Sequence, residues 1–514
     1  MNYPIGIQSF KEIREGGYAY VDKTDLVYDL VKQGKYYLFT RPSRFGKSLL
    51  LSTLEAYFEG RKELFNGLAI SELEKNWISY PVIHLDLSNG TYNSIESLTD
   101  HLNFMLAEQE KRFNLPQADT PPYQRFYDII RNISQKVGRD VAVLIDEYDK
   151  PFLETLDKPE LRENIGRELQ TFYSVIKSSG NYLHFAMLTG VTKISLASEF
   201  SGLNNLNNIT FYSDYAAICG FTDEEMVSYF AEPIKNMADE KGCSADEMLK
   251  AIHNKYYGYR FSNSELHVYN PFSILNVIKN RELRPYWLET ETPKYLIELM
   301  QRNCYDISAI DGAVTDSRHL SNMDPDSYDP IPVIYQSGYL TVKSYSRKYN
   351  DITLGFPNED VRIGLMEYAY PCYTKLKDGK MVPFLCLKNE IENGKAESFM
   401  QILQDLSVNL LYNTLKRCED DFINFIYIIF SLASITSVKV HRSFDGRIDM
   451  LVETDNFVYV MEFKVDGSAQ EAMDQIESKQ YALPWSTDHR KVIKIGANFS
   501  TTERRLTDYV IRQN

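Results

Sequence analysis

KYYLFTRPSRFGKSLLLSTLEAYFEG, residues Lys35 to Gly60, is the stretch on which the fold of this chain turns. Lys35 to Thr40 read as a short buried strand and Arg41 to Phe45 as a loop. Gly46-Lys47-Ser48 open an apolar helix in which Leu49, Leu50, Leu51, Leu54 and Phe58 suit burial. That order is the layout of a phosphate-binding loop: backbone N–H groups and the positive helix end hold phosphates, a lysine reaches the β and γ phosphates, and a Ser or Thr hydroxyl joins the Mg²⁺ shell. Lys47 and Ser48 have the types for those two roles, and Arg44 and Gly46 complete the nucleotide-binding set. The pattern G-x-x-x-x-G-K-[ST] has glycine where this chain has Arg41. An ordinary strand-to-helix connection would also account for the loop.

A second stretch supports the nucleotide reading. Asp140 to Tyr148, DVAVLIDEY, is an apolar run ending in acids, as expected of a parallel strand covered on both faces. Asp146 would hold Mg²⁺ through water, and Glu147 would orient and polarise the water that attacks the γ-phosphate. A polar strand end is the alternative for this pair taken alone. YPVIHLDL from Tyr80 and LHFAMLT from Leu183 read as further strands, a helix is expected from about Ile95 to Phe113, and ITFY from Ile209 is strand-like. Thr189, Lys193 or an asparagine among Asn204, Asn205, Asn207 and Asn208 is a candidate γ-phosphate sensor, although such residues commonly satisfy turns. Strands alternating with helices make residues 1–215 a parallel α/β core.

Beyond Phe221 the pattern turns helical, with a Thr-Asp-Glu-Glu start signal and then DEMLKAIHNKYYGYRF, which ends at a glycine. Residues 216–315 are expected to form a helical lid, in which Arg260 is either a phosphate contact or a surface arginine beside tyrosines. Residues 316–395 carry a helix end, a glycine and a β-hairpin, suiting a small winged-helix-like connecting region. A helical stretch from Ala396 to Ala433 leads into the last part of the chain, 396–514.

There GRIDMLVETDNFVYVMEFKV, Gly446 to Val465, reads as two strands flanking a turn at Thr454-Asp455-Asn456. On the second strand Glu462 and Lys464 share a face with Val458 and Val460, and the opposite face carries Tyr459, Met461, Phe463 and Val465. Burying a carboxylate and an ammonium costs several kcal/mol unless they pair or meet a metal. Asp449, Glu462 and Lys464 form the acidic pair plus lysine that divalent-metal phosphodiester cleavage needs. The carboxylates would hold Mg²⁺, and the lysine would position the attacking water and offset transition-state charge. A cross-strand salt bridge is the plainer account. A helix from about Ser468 to Ala482, with Gln475, Lys479 and Tyr481, could face the same groove.

The 514 residues suit a multidomain globular chain, 44% hydrophobic and 25% charged. No apolar run reaches membrane-span length and the first residues lack a signal pattern, so no membrane contact and a cytoplasmic location are expected. The six cysteines include no C-x-x-C pair, which argues against a zinc site and a disulfide framework. A net charge of −15 repels nucleic acid, so any such contact needs a local groove.

Together YVDKT, RPSRFGKS, LIDEYDKP, YYGYRF, YNPFSIL, SGYLTV and GRIDM…MEFKV resemble the bacterial AAA-ATPase-like proteins that carry a C-terminal nuclease-like domain of the PD-(D/E)XK superfamily. The resemblance covers nearly the whole chain. It implies an α/β fold: an AAA-like P-loop parallel-sheet domain with a helical lid, a winged-helix-like middle region and a C-terminal restriction-endonuclease-like domain. Members of that family typically carry arginine and proline where the standard loop has its first glycine, so Arg41 is no sign of a dead site. The resemblance implies ATP and Mg²⁺ as cofactors, with Lys47, Ser48, Asp146 and Glu147 on the ATPase motifs and Asp449, Glu462 and Lys464 on the nuclease motif. It adds a further acid on the preceding helix, for which Asp420 or Glu419 is nearest. The expected function is an ATPase whose nucleotide state controls a Mg²⁺-dependent DNA nuclease, in defence or mobile-element control; a nucleotide-operated switch that binds nucleic acid or protein without cutting is the rival. Homo-oligomerisation is compatible with either.

Overall fold

The computed structural model describes residues 2–193, 205–287, 307–316, 319–320, 329–346, 348–349, 351–374, 382–408, 419–433, 435, 438–443, 446–503 and 505–513. The chain divides into two compact units. One comprises Met1–Tyr286, Val314–Ser327 and Ile331–Asn358; the other comprises Trp287–Ala313, Tyr328–Pro330 and Glu359–Asn514. Of the stretch 316–395, read from sequence as one connecting region, residues up to Ser327 and Ile331–Asn358 fall in the first unit, and Tyr328–Pro330 and the residues from Glu359 onward fall in the second.

The first unit is built on a five-stranded sheet in the order β2-β3-β4-β1-β5. The strands are β1 (Tyr36–Thr40), β2 (Val82–Asp86), β3 (Val141–Asp146), β4 (Leu183–Gly190) and β5 (Asn207–Asn208), and every neighbouring pair is parallel. All six residues of β3 are buried, which is why VAVLID reads as an unbroken apolar run rather than an alternation. Helix Lys47–Phe58 follows β1 and buries Leu50, Leu51, Leu54 and Phe58. The ITFY expectation fails. The strand is Asn207–Asn208, and Thr210 lies in the turn beyond it, where its hydroxyl accepts from the Thr40 N–H at 3.1 Å. Ahead of the sheet, Tyr18 makes an isolated bridge to Asn2.

The helical lid follows as helices Asp223–Lys241, Ala245–Tyr256 and Pro271–Asn280. Capping boxes at Thr222/Glu225 and Ser244/Glu247 start the first two. Met226, Phe230, Ile252, Tyr256, Ile274 and Val277 close its core. The YVDKT segment is fastened to this lid by an ion pair of 2.5 Å between Lys23 Nζ and Glu225 Oε1. Helix Ile331–Gln336 then leads through Gly338 into the hairpin β7 (Thr341–Ser346) and β8 (Asp351–Gly355), with β6 (Val314–Asp316) antiparallel on the far side of β8. Residues 288–306, within the expected lid, lie outside the described residues.

In the second unit a five-stranded sheet runs β13-β12-β11-β10-β9. Its strands are β9 (Val438–Ser443), β10 (Gly446–Glu453), β11 (Phe457–Val465), β12 (Lys491–Ser500) and β13 (Arg505–Gln513). The β11–β12 pair is parallel and the others antiparallel. A parallel pair needs a crossover, which helix Ala469–Ser478 supplies, lying so close to β12 that a Cβ on Gly496 would stand 2.4 Å from Ala469 O. That helix is shorter than the expected 468–482. Val458 and Val460 pack beneath it with Met473 and Ile476. On the other face Tyr459 meets Phe399, and Phe463 and Phe422 meet Phe499. The 396–433 stretch is two helices, Ala396–Ser407 and Glu419–Leu432, and residues 409–418 between them lie outside the description.

Candidate functional sites

The loop after β1 turns on Gly46, whose φ of 97° lies in the left-handed region that glycine adopts without strain. This places Lys47 at the first position of the helix and Ser48 behind it. Lys47 is 3% exposed, and its Nζ stands 3.3 Å from Glu147 Oε1 and 3.4 Å from Pro42 O. Burial would lower its ammonium, but the charges of Glu147, Asp146 and Asp149 outweigh that and hold it above the usual lysine value.

β4 separates β1 from β3 and delivers Thr189 to the acids. Thr189 is fully buried and donates to Asp146 Oδ1 at 2.6 Å, and the Glu147 N–H donates to the same oxygen at 3.0 Å. Glu147 itself has a φ of 50°, a backbone conformation rare for a residue with a side chain and common at functional turns. The sequence reading passed over Asp149, whose signal was a third acid in IDEYD. It is fully buried and accepts from Val191 N at 3.0 Å, Thr192 N at 2.5 Å and Thr192 Oγ1 at 2.7 Å, fastening the turn after β4 to the end of β3. Burial, then the charge of Glu147, pushes Asp149 up to about 6.

The structure brings together Lys47, Asp146, Glu147 and Thr189, and draws other candidates elsewhere. Lys193 donates its N–H to Gln336 Oε1 at 3.1 Å. Arg44 holds its guanidinium 4.1 Å from the Phe272 ring centroid. Arg260 is not a surface arginine; its guanidinium is engaged within its own turn. It is 3% exposed and donates to Ser262 O at 3.1 Å, Asn263 O at 3.0 Å and Glu265 Oε1 at 3.2 Å, because the turn after YYGYRF presents carbonyls around it. Asn207 and Asn208 accept from Tyr212 OH and Thr210 N as turn residues, and Asn204 lies outside the description.

In the second unit the antiparallel register of Met450 with Met461 sets Asp449 opposite Glu462. Asp449 Oδ2 accepts from Phe463 N at 2.9 Å. Glu462 is 2% exposed; Gln475 of the crossover helix donates to its Oε1, and Lys464 Nζ lies 3.5 Å from that oxygen. Among the described residues Glu462 Oε2 meets no hydrogen-bond partner. Burial, then the charge of Asp449, pushes this carboxyl up to about 8, with Lys464 acting against them. Asp449 and Glu462 are thus a cross-strand carboxylate pair; the described residues hold no group of three or more His, Cys, Asp and Glu side chains suited to a metal ion. An unpartnered buried carboxylate oxygen beside a second carboxylate and a lysine is a donor set that fits a divalent cation. Glu419 and Asp420 open the preceding helix, and their side chains lie outside the description. Cys219, Cys243 and Cys386 are free thiols, and no described helix is long and apolar enough to cross a membrane.

The first unit is therefore a P-loop, AAA-like parallel α/β domain, and the second carries a PD-(D/E)XK nuclease superfamily domain. Residues 4–200 match the family model described as predicted AAA-ATPase, and residues 418–509 match the PD-(D/E)XK nuclease superfamily. An uncharacterized protein in the vnfD 5′ region of Azotobacter chroococcum mcd 1 is 33% identical over 525 aligned residues, covering 99% of this chain and 98% of that one. The chain belongs to this family of AAA-ATPase-like proteins with a C-terminal PD-(D/E)XK domain. Among solved structures the Aeropyrum pernix ORC2 protein, in ADPNP and ADP complexes, aligns with 66% of this chain and 90% of its own at 9% identity and a TM-score of 0.29, too remote to carry an argument.

Proposed function

We propose that the chain binds and hydrolyses ATP and that its nucleotide state controls a Mg²⁺-dependent DNA nuclease site in the same chain, in defence or mobile-element control. The observation that carries the reading is Glu462, a buried carboxylate with one oxygen unpartnered, facing Asp449 and flanked by Lys464. Burying such a group costs several kcal/mol unless a ligand compensates it. Asp449 and Glu462 would hold the cation at the nuclease site, and Ser48 and Asp146 the one that accompanies ATP. A cation bound there neutralises phosphate charge and lowers the pKa of water.

The remaining work falls to the chain. Lys47 takes the β and γ phosphates, Gly46 and Arg44 shape the loop around them, and Glu147 accepts the proton of the attacking water. Thr189 holds Asp146 in place through its hydroxyl. Lys464 orients the water at the phosphodiester and offsets developing charge, while Gln475 fixes the Glu462 carboxylate.

The test is cleavage of linear and circular DNA by the purified chain with Mg²⁺ or Mn²⁺, with and without ATP, alongside Lys464→Ala. Cutting that is lost in the variant supports the reading. Intact ATP hydrolysis with no cutting under any condition favours the second reading, a nucleotide-operated switch whose nuclease-like domain only binds. The net charge of −15 favours that alternative.

A further inference from the structure

Arg41 stands where the phosphate-loop pattern has glycine, and its side chain is spent inside the protein. It is 1% exposed and donates to Thr40 O at 2.9 Å, Thr210 O at 2.8 Å and Tyr215 O at 3.4 Å. Its guanidinium carbon lies 4.5 Å from the Phe39 ring centroid and 4.2 Å from that of Phe261. At the other end of the loop Phe45 packs edge-on against Tyr259 and Phe261, at 4.8 and 5.2 Å between centroids. Both ends of the loop thus rest on one short segment of the lid. That segment is in turn bonded to the hairpin: Tyr259 OH donates to Gly338 O at 2.9 Å, the Arg260 N–H donates to Thr341 Oγ1 at 2.7 Å, and Thr341 Oγ1 donates back to Arg260 O at 3.1 Å.

We propose that Arg41 and Phe45 are positioning residues that lock the phosphate loop to the Tyr259–Phe261 segment, and through it to the β7–β8 hairpin, so that nucleotide binding at Lys47 and the order of the hairpin are thermodynamically linked. The linkage rests on the ATP-binding reading above. Packed aromatic contacts change by discrete repacking rather than by smooth deformation. A loop that tightens on phosphate therefore moves Phe261 and Tyr259 with it, and with them the backbone that Thr341 holds. Linkage is reciprocal, so a change confined to the hairpin must alter nucleotide affinity.

The experiment is hydrogen–deuterium exchange of the full chain with and without MgATP, with MgATP binding measured separately by calorimetry, on the wild type, Arg41→Met and Thr341→Val. MgATP is expected to slow exchange across Thr341–Ser346 in the wild type but not in Arg41→Met. Thr341→Val is expected to weaken MgATP binding about fivefold or more. Where Arg41→Met does not fold, Phe45→Leu takes its place. Bound MgATP with unchanged hairpin exchange, or wild-type affinity in Thr341→Val, overturns the linkage alone. Absence of MgATP binding by the wild type overturns the ATP-binding reading and the linkage with it.

Discussion

Lys47 Nζ and Glu147 Oε1 stand 3.3 Å apart, the phosphate-loop lysine paired with the acid that ends the neighbouring apolar strand. On the proposed ATP-binding reading, phosphate oxygens would compete with Glu147 for the same ammonium, and occupying the loop would free the carboxylate to face water. Glu147→Gln removes both the competing partner and the repulsion between carboxylate and phosphate. ATP affinity should rise several-fold by calorimetry, while turnover should fall by about 10²–10⁴, the range for loss of a general base. Unaltered turnover would remove Glu147 from the mechanism.

Lys47→Ala leaves Asp146, Glu147 and Asp149 without their shared cation. Nucleotide binding should be lost, and thermal stability should fall, because buried carboxylates would remain uncompensated. A variant that hydrolyses ATP at the wild-type rate would contradict the assignment.

His84 on β2 lies 2.9 Å from Glu55 Oε2 of the phosphate-loop helix. Burial would lower its pKa, but the hydrogen bond and charge of Glu55, with Asp146 and Asp86 behind, carry it above the ordinary value of 6.5. The contribution of His84 to stability is therefore complete below about pH 6.5 and is lost as pH rises through its raised folded value. Glu55 is held below the usual carboxylate range, where burial is outweighed by His84 and Arg112, so its share is lost as pH falls through that depressed value. In Glu55→Gln, an NMR titration of His84 should move to lower pH, since burial remains and the carboxylate does not. An unmoved titration would show that Glu55 is not the cause.

Arg125 and Glu110 form an ion pair of 2.5 Å with side chains 5% and 4% exposed, remote from both candidate sites in sequence. Removing one partner strands a buried charge, so Arg125→Ala should cost about 3–5 kcal/mol in denaturant unfolding. A loss below about 1 kcal/mol, the range of exposed pairs, would contradict that burial.

What was legible in the sequence is what local pattern encodes. The strand, loop and helix around Lys47, the acid-terminated β3 and the pairing of Asp449 with Glu462 all follow from periodicity, turn residues and charge at a strand end. The misreadings concern contacts that no local periodicity encodes. Arg260 finds carbonyl acceptors only once its turn has formed, and Ile209 to Tyr212 have strand-like composition but serve a turn whose Thr210 bonds to Thr40. Asp149 gives no periodic signal, and its partners Val191 and Thr192 lie across the sheet. Arg41 looked like a departure from a motif, whereas its meaning is set by Thr210, Tyr215 and Phe261.

The most direct measurement of the central claim is the rate of DNA cutting by the full chain with Mg²⁺ under ATP, ADP and no nucleotide, for the wild type, Lys47→Ala and Lys464→Ala. The account predicts that the wild-type rate depends on the nucleotide, that Lys47→Ala loses the dependence, and that Lys464→Ala does not cut in any state. Cutting at one rate in all three nucleotide conditions, unaffected by Lys47→Ala, would contradict nucleotide control.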